Sequence, residues 1–165
     1  MEQFSAWVIS TAPSRWMQNV PGVVVYLQTI HILAIAAVLA SALMISLRML
    51  RVTQMQTMAQ TAQRFIPWLW SGLAVLALTG LLLILGEPKR TLNYNVAFML
   101  KMAMLVVAAG LTTAFQWSLQ ANAARWEGNT RAESTTRAFA VVMLLLWFAI
   151  AVCGRWIAYA RVDVT

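Results

Sequence analysis

Residues 23–47 read VVVYLQTIHILAIAAVLASALMISL. The run contains no Lys, Arg, Asp or Glu, and His31 is its one basic side chain. At 1.5 Å per residue it makes a helix about 37 Å long, more than the ~30 Å hydrocarbon core of a bilayer. Three further runs are long and apolar: Phe65–Leu85, free of charge, and Val96–Leu119 and Ala138–Ala160, which hold one cation each, Lys101 and Arg155. None alternates over about ten residues as a membrane barrel strand does. The expected fold is therefore all-α, a polytopic membrane protein whose four transmembrane helices form one bundle.

Composition excludes the alternatives. Of 165 residues, 61% are hydrophobic and 10% charged, against roughly 25% charged in an ordinary soluble domain. Mean hydropathy is +0.72. A folded monomer with so little polar surface would not stay in water, which removes cytosolic enzymes, disulfide-built secreted domains and disordered tails. Twelve Lys and Arg against five Asp and Glu give +7. The basic residues flank apolar runs, as anchors among headgroups do, so the expected partner is the lipid bilayer and not nucleic acid. Cys153 is the one cysteine, so no disulfide forms within the chain.

Ahead of the first run, residues 4–19 carry Phe4, Trp7 and Trp16 with Pro13 between them. This segment is too short to span and reads as one or two interfacial pieces, the first ended by Pro13. The start has no basic region and no small-residue cleavage site, so no processing is expected. Pro67 is expected in the first turn of the second helix, where a missing N–H costs little. Gly128-Asn129 and Ser134-Thr135-Thr136 supply stop and start signals before the fourth helix. No internal repeat occurs, so residues 1–165 are expected to form a single membrane domain.

Orientation follows the distribution of Lys and Arg. The first and third loops hold Arg48, Arg51, Arg64, Arg125, Arg131 and Arg137. The opposite side holds Arg15, Lys89, Arg90 and Arg161, once Arg155 within the fourth span is set aside. Both termini are thus expected outside, in the periplasm for a bacterial inner-membrane protein. Small residues four apart (Ala36/Ala40, Ala37/Ser41, Gly110/Ala114, Gly154/Ala158) are candidate helix contacts.

An ionisable residue inside a span costs about 2.5–3.5 kcal/mol on insertion scales and defaults to a functional hypothesis. The outer half of the expected bundle gathers Gln28, His31, Glu87, Lys101, Arg155, Trp156 and Tyr159; the inner half has no comparable cluster. A structural reading stands beside each: Trp156 and Tyr159, with Tyr26 and Tyr94, suit an aromatic belt, Lys101 and Arg155 can snorkel or pair with Glu87, and His31 can bond a neighbouring helix. Haem b is the first cofactor to weigh. The single imidazole leaves five-coordinate iron, a His/Met pair or a site shared across a homodimer, with Lys101 and Arg155 as propionate partners. Copper is the second, with His31, Met99 and Met102 as the soft ligand set, although methionine also fills gaps in helix packing. Zinc lacks ligands. No catalytic triad, carboxylate pair or phosphate loop is present, and no residue is assigned a catalytic role.

Several of these stretches resemble a family of uncharacterised bacterial four-helix membrane proteins over about Val20 to Tyr159. They are Tyr26-Leu27-Gln28-Thr29-Ile30-His31-Ile32-Leu33 with Ser46-Leu47-Arg48, Pro67-Trp68, Thr79-Gly80-Leu81-Leu82, Glu87-Pro88, Asn95 to Lys101, and Gly154-Arg155-Trp156-Ile157-Ala158-Tyr159. The resemblance implies that His31, Lys101 and Arg155 occupy characteristic polar positions, and it brings no activity. More distantly, Tyr94 with Leu100-Lys101 is similar to membrane domains of the copper-resistance CopD type, which implies copper or redox work in the periplasmic leaflet; no second histidine matches. Three readings are open at this level: a redox or electron-transfer module carrying haem b on His31, a permease-like copper handler, and a structural or assembly subunit of a membrane complex.

Overall fold

The computed structural model describes residues 2–53, 56–86, 96–126 and 133–157. It is all-α, with no strand among the described residues. Two short helices, α1 (Glu2–Ser10) and α2 (Ala12–Asn19), precede α3 (Val23–Met49) and α4 (Met58–Gly86). Then come α5 (Val96–Ala121), the single turn α6 (Ala123–Trp126) and α7 (Glu133–Ile157). Helices α3, α4, α5 and α7 are each long and apolar enough to cross a membrane.

The boundaries depart from expectation where capping chemistry was overlooked. Pro13 does not end α1; it sits in the first turn of α2, where Pro is well suited. The larger shift is in α4, which begins at Met58 and leaves Pro67 in the helix interior. A capping box sets that start. The Thr57 N–H donates to Gln60 Oε1 (3.0 Å) and the Gln60 N–H donates to Thr57 Oγ1 (3.2 Å), satisfying two otherwise orphaned donors. At the other side of this turn, α3 ends in a Schellman motif. Arg51 takes φ 61°, its N–H reaching Arg48 O (3.1 Å) and that of Val52 reaching Leu47 O (3.0 Å). Arg48 Nε then donates to Gln56 O, tying the loop to the helix end.

The long helices run up-down-up-down. Helices α3 and α4 form the most extensive packing, α7 packs on α3, and α5 packs chiefly on α7. A buried core of Val38, Ala42, Leu69, Leu73, Ala108 and Trp147 joins all four near mid-height. A second core includes Ile45, Met58, Ile66 and Phe115, with Trp126 packed against it, at the end away from His31. Trp147 is 2% exposed and its Nε1 has no hydrogen-bond partner.

The α3–α4 seam has a seven-residue register. A Cβ at Gly72 would lie 2.7 Å from Val38 Cγ2. Seven residues on along α4 and seven back along α3, Thr79 meets His31. Seven more in each direction, a Cβ at Gly86 would lie 3.2 Å from Val24 Cγ2. This is the spacing at which antiparallel helices stay in contact along one face. Of the candidate small pairs, Ala37/Ser41 turns inward, whereas Ala36, Ala40, Gly110 and Ala114 are exposed and Ala158 lies outside the described residues. The tightest approach is at Gly72, which pattern-reading passed over.

A direct consequence concerns stability. Gly72→Ala should cost about 1–3 kcal/mol through overpacking against Val38, while Gly110→Ala, where nothing lies within 4 Å, should be neutral. Thermal unfolding of both variants in detergent checks this; equal melting temperatures would show that α3 and α4 do not approach as described.

Candidate functional site

The site is built outward from His31, which is half-buried on α3. Its Nδ1 lies 2.7 Å from Thr79 Oγ1 on α4. The Thr79 hydroxyl donates in turn to Val75 O at 2.7 Å, within its own helix. That hydroxyl has one proton. With the proton directed to Val75 O, Oγ1 accepts, so Nδ1 carries hydrogen and Nε2 bears the lone pair. Gly80, the next residue on α4, would place a Cβ 3.7 Å from His31 Cε1, so this flank of the ring is lined by a residue without a side chain. A histidine whose Nδ1–H is held by an oxygen while Nε2 stays basic is the arrangement that suits metal ligation.

Lys101 enters from α5. It is half-buried. Its side chain lies along Gly154 on α7, where a Cβ would stand 3.3 Å from Nζ and 3.6 Å from Cε. Two pairs thus stand at the same end of the bundle: His31 with Thr79 across α3 and α4, and Lys101 with Gly154 across α5 and α7.

The remaining candidates are placed differently. Gln28 is on α3 one turn from His31 and is exposed. Arg155 and Trp156 are exposed near the end of α7, and Arg155 has interactions of its own. Met99 is 61% exposed and Met102 39%, so both stand on the outward part of α5. Tyr159 and Glu87 lie outside the described residues. No group of three or more His, Cys, Asp and Glu side chains that could hold a metal occurs among the described residues.

Thr79 is not among the site residues expected from the sequence, and Gly154 is expected there only as a helix contact. Thr79 could have been found by noting that the lone His31 needs an oxygen partner on a facing helix, and Gly154 by asking what makes room for a lysine at that depth. The short helix α2 also abuts this end. Ser14 is fully buried and donates to Leu85 O near the end of α4 (2.7 Å), and Gln18 Nε2 donates to Ser14 Oγ (2.9 Å). At the opposite end, a depression of about 230 Å³ is lined by Phe115, Ser118, Trp126, Thr135, Thr136 and Phe139.

The family of unknown function DUF6644 matches residues 7–160. The chain belongs to that family. Its membership covers the whole four-helix unit and brings no activity with it. No curated protein and no solved structure matches the chain, so the likeness to CopD-type domains gains no support.

The His31–Thr79 bond yields a direct test, because His31 is the one histidine. Nitrogen NMR of the ring should show the tautomer with hydrogen on Nδ1. Thr79→Val should convert it to a mixture and Thr79→Ser should preserve it. An Nε2–H tautomer in the unaltered protein would reverse the donor assignment.

Proposed function

We infer that this protein is a cofactor-binding redox module of the membrane, with His31 as axial ligand to b-type haem. The observation that carries this reading is the bond from His31 Nδ1 to Thr79. It holds the ring on the α3–α4 seam of a four-helix bundle, the kind of scaffold that carries cofactor sites, and with Nδ1 donating to Thr79 it would leave Nε2 free to ligate. Haem, when bound, supplies one-electron transfer. The chain's own residues would ligate the iron, orient the ligand and place a cation nearby. Thr79 is a positioning residue that acts through His31.

The fit constrains coordination. One imidazole is present, and the exposure of Met99 and Met102 disfavours a His/Met pair within one chain. Five-coordinate iron or a homodimer sharing the cofactor remains. The orientation expected from the arginines would set the site in the outer leaflet of a bacterial inner membrane.

Absorption spectra of the detergent-purified chain, oxidised and then dithionite-reduced, test the proposal, with metal analysis on the same sample. A Soret band with reduced α and β bands, at one haem per chain or per dimer, is expected, and His31→Ala should abolish it. A band that survives His31→Ala removes this ligand. Copper in place of iron would favour the copper handler, and a colourless, metal-free sample made with haem and copper supplied would leave the structural-subunit reading.

A further inference from the structure

Among the described residues, the charge of Lys101 has no acidic counterpart. The chain's five acidic residues are Glu2, Glu87, Glu127, Glu133 and Asp163, and none falls within the interior of a long helix. The described group it lies against is the Gly154 backbone, next to Cys153 in the chain. A thiol in its ordinary state does not neutralise an ammonium. A cation at such depth is expected to face a cavity or a partner.

The position is also prepared for it. Any side chain at residue 154 would start 3.3 Å from Lys101 Nζ, so glycine there admits the ammonium group between α5 and α7. Lys101 is five residues from the start of α5 and His31 eight from the start of α3, at the same end of the bundle. The corresponding depths are about 7.5 Å and about 12 Å. A ligand held at His31 and at Lys101 would therefore lie along the bundle, with its charged end toward the mouth and its apolar body deeper.

We propose that Lys101, seated against Gly154, receives a carboxylate of an amphipathic ligand whose apolar body reaches His31. The identity of that ligand as a haem, bound by a propionate, rests on the reading above. The carboxylate seat itself does not, because an ammonium recognises a fatty-acid carboxylate by the same chemistry. Glycine at 154 is the specificity-determining feature, since a larger residue would push Nζ out of its place.

The test uses metal-free protoporphyrin IX, which keeps the two carboxylates and lacks the iron that His31 would bind. Quenching of the chain's eight tryptophans reports its binding to the full-length protein in detergent, alongside that of its dimethyl ester. The unaltered protein should bind the acid at least about tenfold more tightly than the ester, a factor worth 1.4 kcal/mol at 25 °C. Lys101→Met should erase that preference, Lys101→Arg should retain most of it, and Gly154→Val should weaken it. Equal binding of acid and ester, or a preference that survives Lys101→Met, overturns the proposal. Binding that appears only in Glu87→Gln would mean that the chain's own carboxylate occupies Lys101, and overturns it too. Displacement by oleate and not by methyl oleate would assign the same seat to a fatty acid. His31→Ala should leave the acid preference intact. A colourless protein that keeps this preference would therefore sink the haem reading and spare the seat. A His31-dependent Soret band without the preference would do the reverse.

Discussion

The close passage of α4 over α3 at Gly72 governs the rest of the molecule. Without a side chain at that point, α4 comes down onto Val38 and the carbonyl of Ala34. The seven-residue repeat then fixes which residues meet further along, and Thr79 reaches His31 because Gly72 reaches Val38. A translation of one helix by a single residue would turn Thr79 off the seam and leave the imidazole facing hydrocarbon. Packing in an apolar solvent lacks a hydrophobic driving force, so such close backbone contacts are what hold two helices in register.

The same solvent explains how polar atoms are handled. Ser41, Thr112 and Thr113 donate back to carbonyls one turn earlier in their own helices. They are satisfied locally and demand nothing of their neighbours. An imidazole on a helix cannot reach its own carbonyls in this way and must find another helix. Thr79 takes part in both, donating back to Val75 and sharing a hydrogen bond with His31 Nδ1, so one hydroxyl joins a local bond to a tertiary one. Trp147 shows the cost of failing to do this: its buried N–H has no acceptor, a penalty of roughly 1–3 kcal/mol borne by the indole's packing among Val38, Ala42 and Leu73.

Helix existence was legible because twenty apolar residues without a charge have one use. Boundaries were less so. The true start of α4 is encoded in Thr57-Met58-Ala59-Gln60, a capping box whose signal was masked by Pro67, which looks like a helix beginning and lies ten residues in. A proline inside a long helix is tolerated when the helix is held by packing on a neighbour, as Ile66 and Leu69 hold α4 here. Of the candidate contact pairs, Ala37/Ser41 turns inward and Gly154 meets Lys101, while Ala36/Ala40 and Gly110/Ala114 are exposed, for a related reason. Small residues four apart mark a surface that permits close approach, yet lipid suits Gly110 and Ala114 as well as a helix does.

From the sequence by itself come the four spans, their apolar character and the rarity of the groups that break it: His31, Lys101 and Arg155. These follow from chain length and from the cost of charge in hydrocarbon, neither of which depends on how helices are rotated. Rotation and register belong to the tertiary structure. They brought Thr79 to His31 and Gly154 to Lys101, sent Met99 and Met102 outward, and left Arg155 and Trp156 exposed. The reason is steric. Which face of an almost uniformly apolar helix turns inward is settled by the few places where a missing side chain lets two backbones approach, and that is a property of helix pairs.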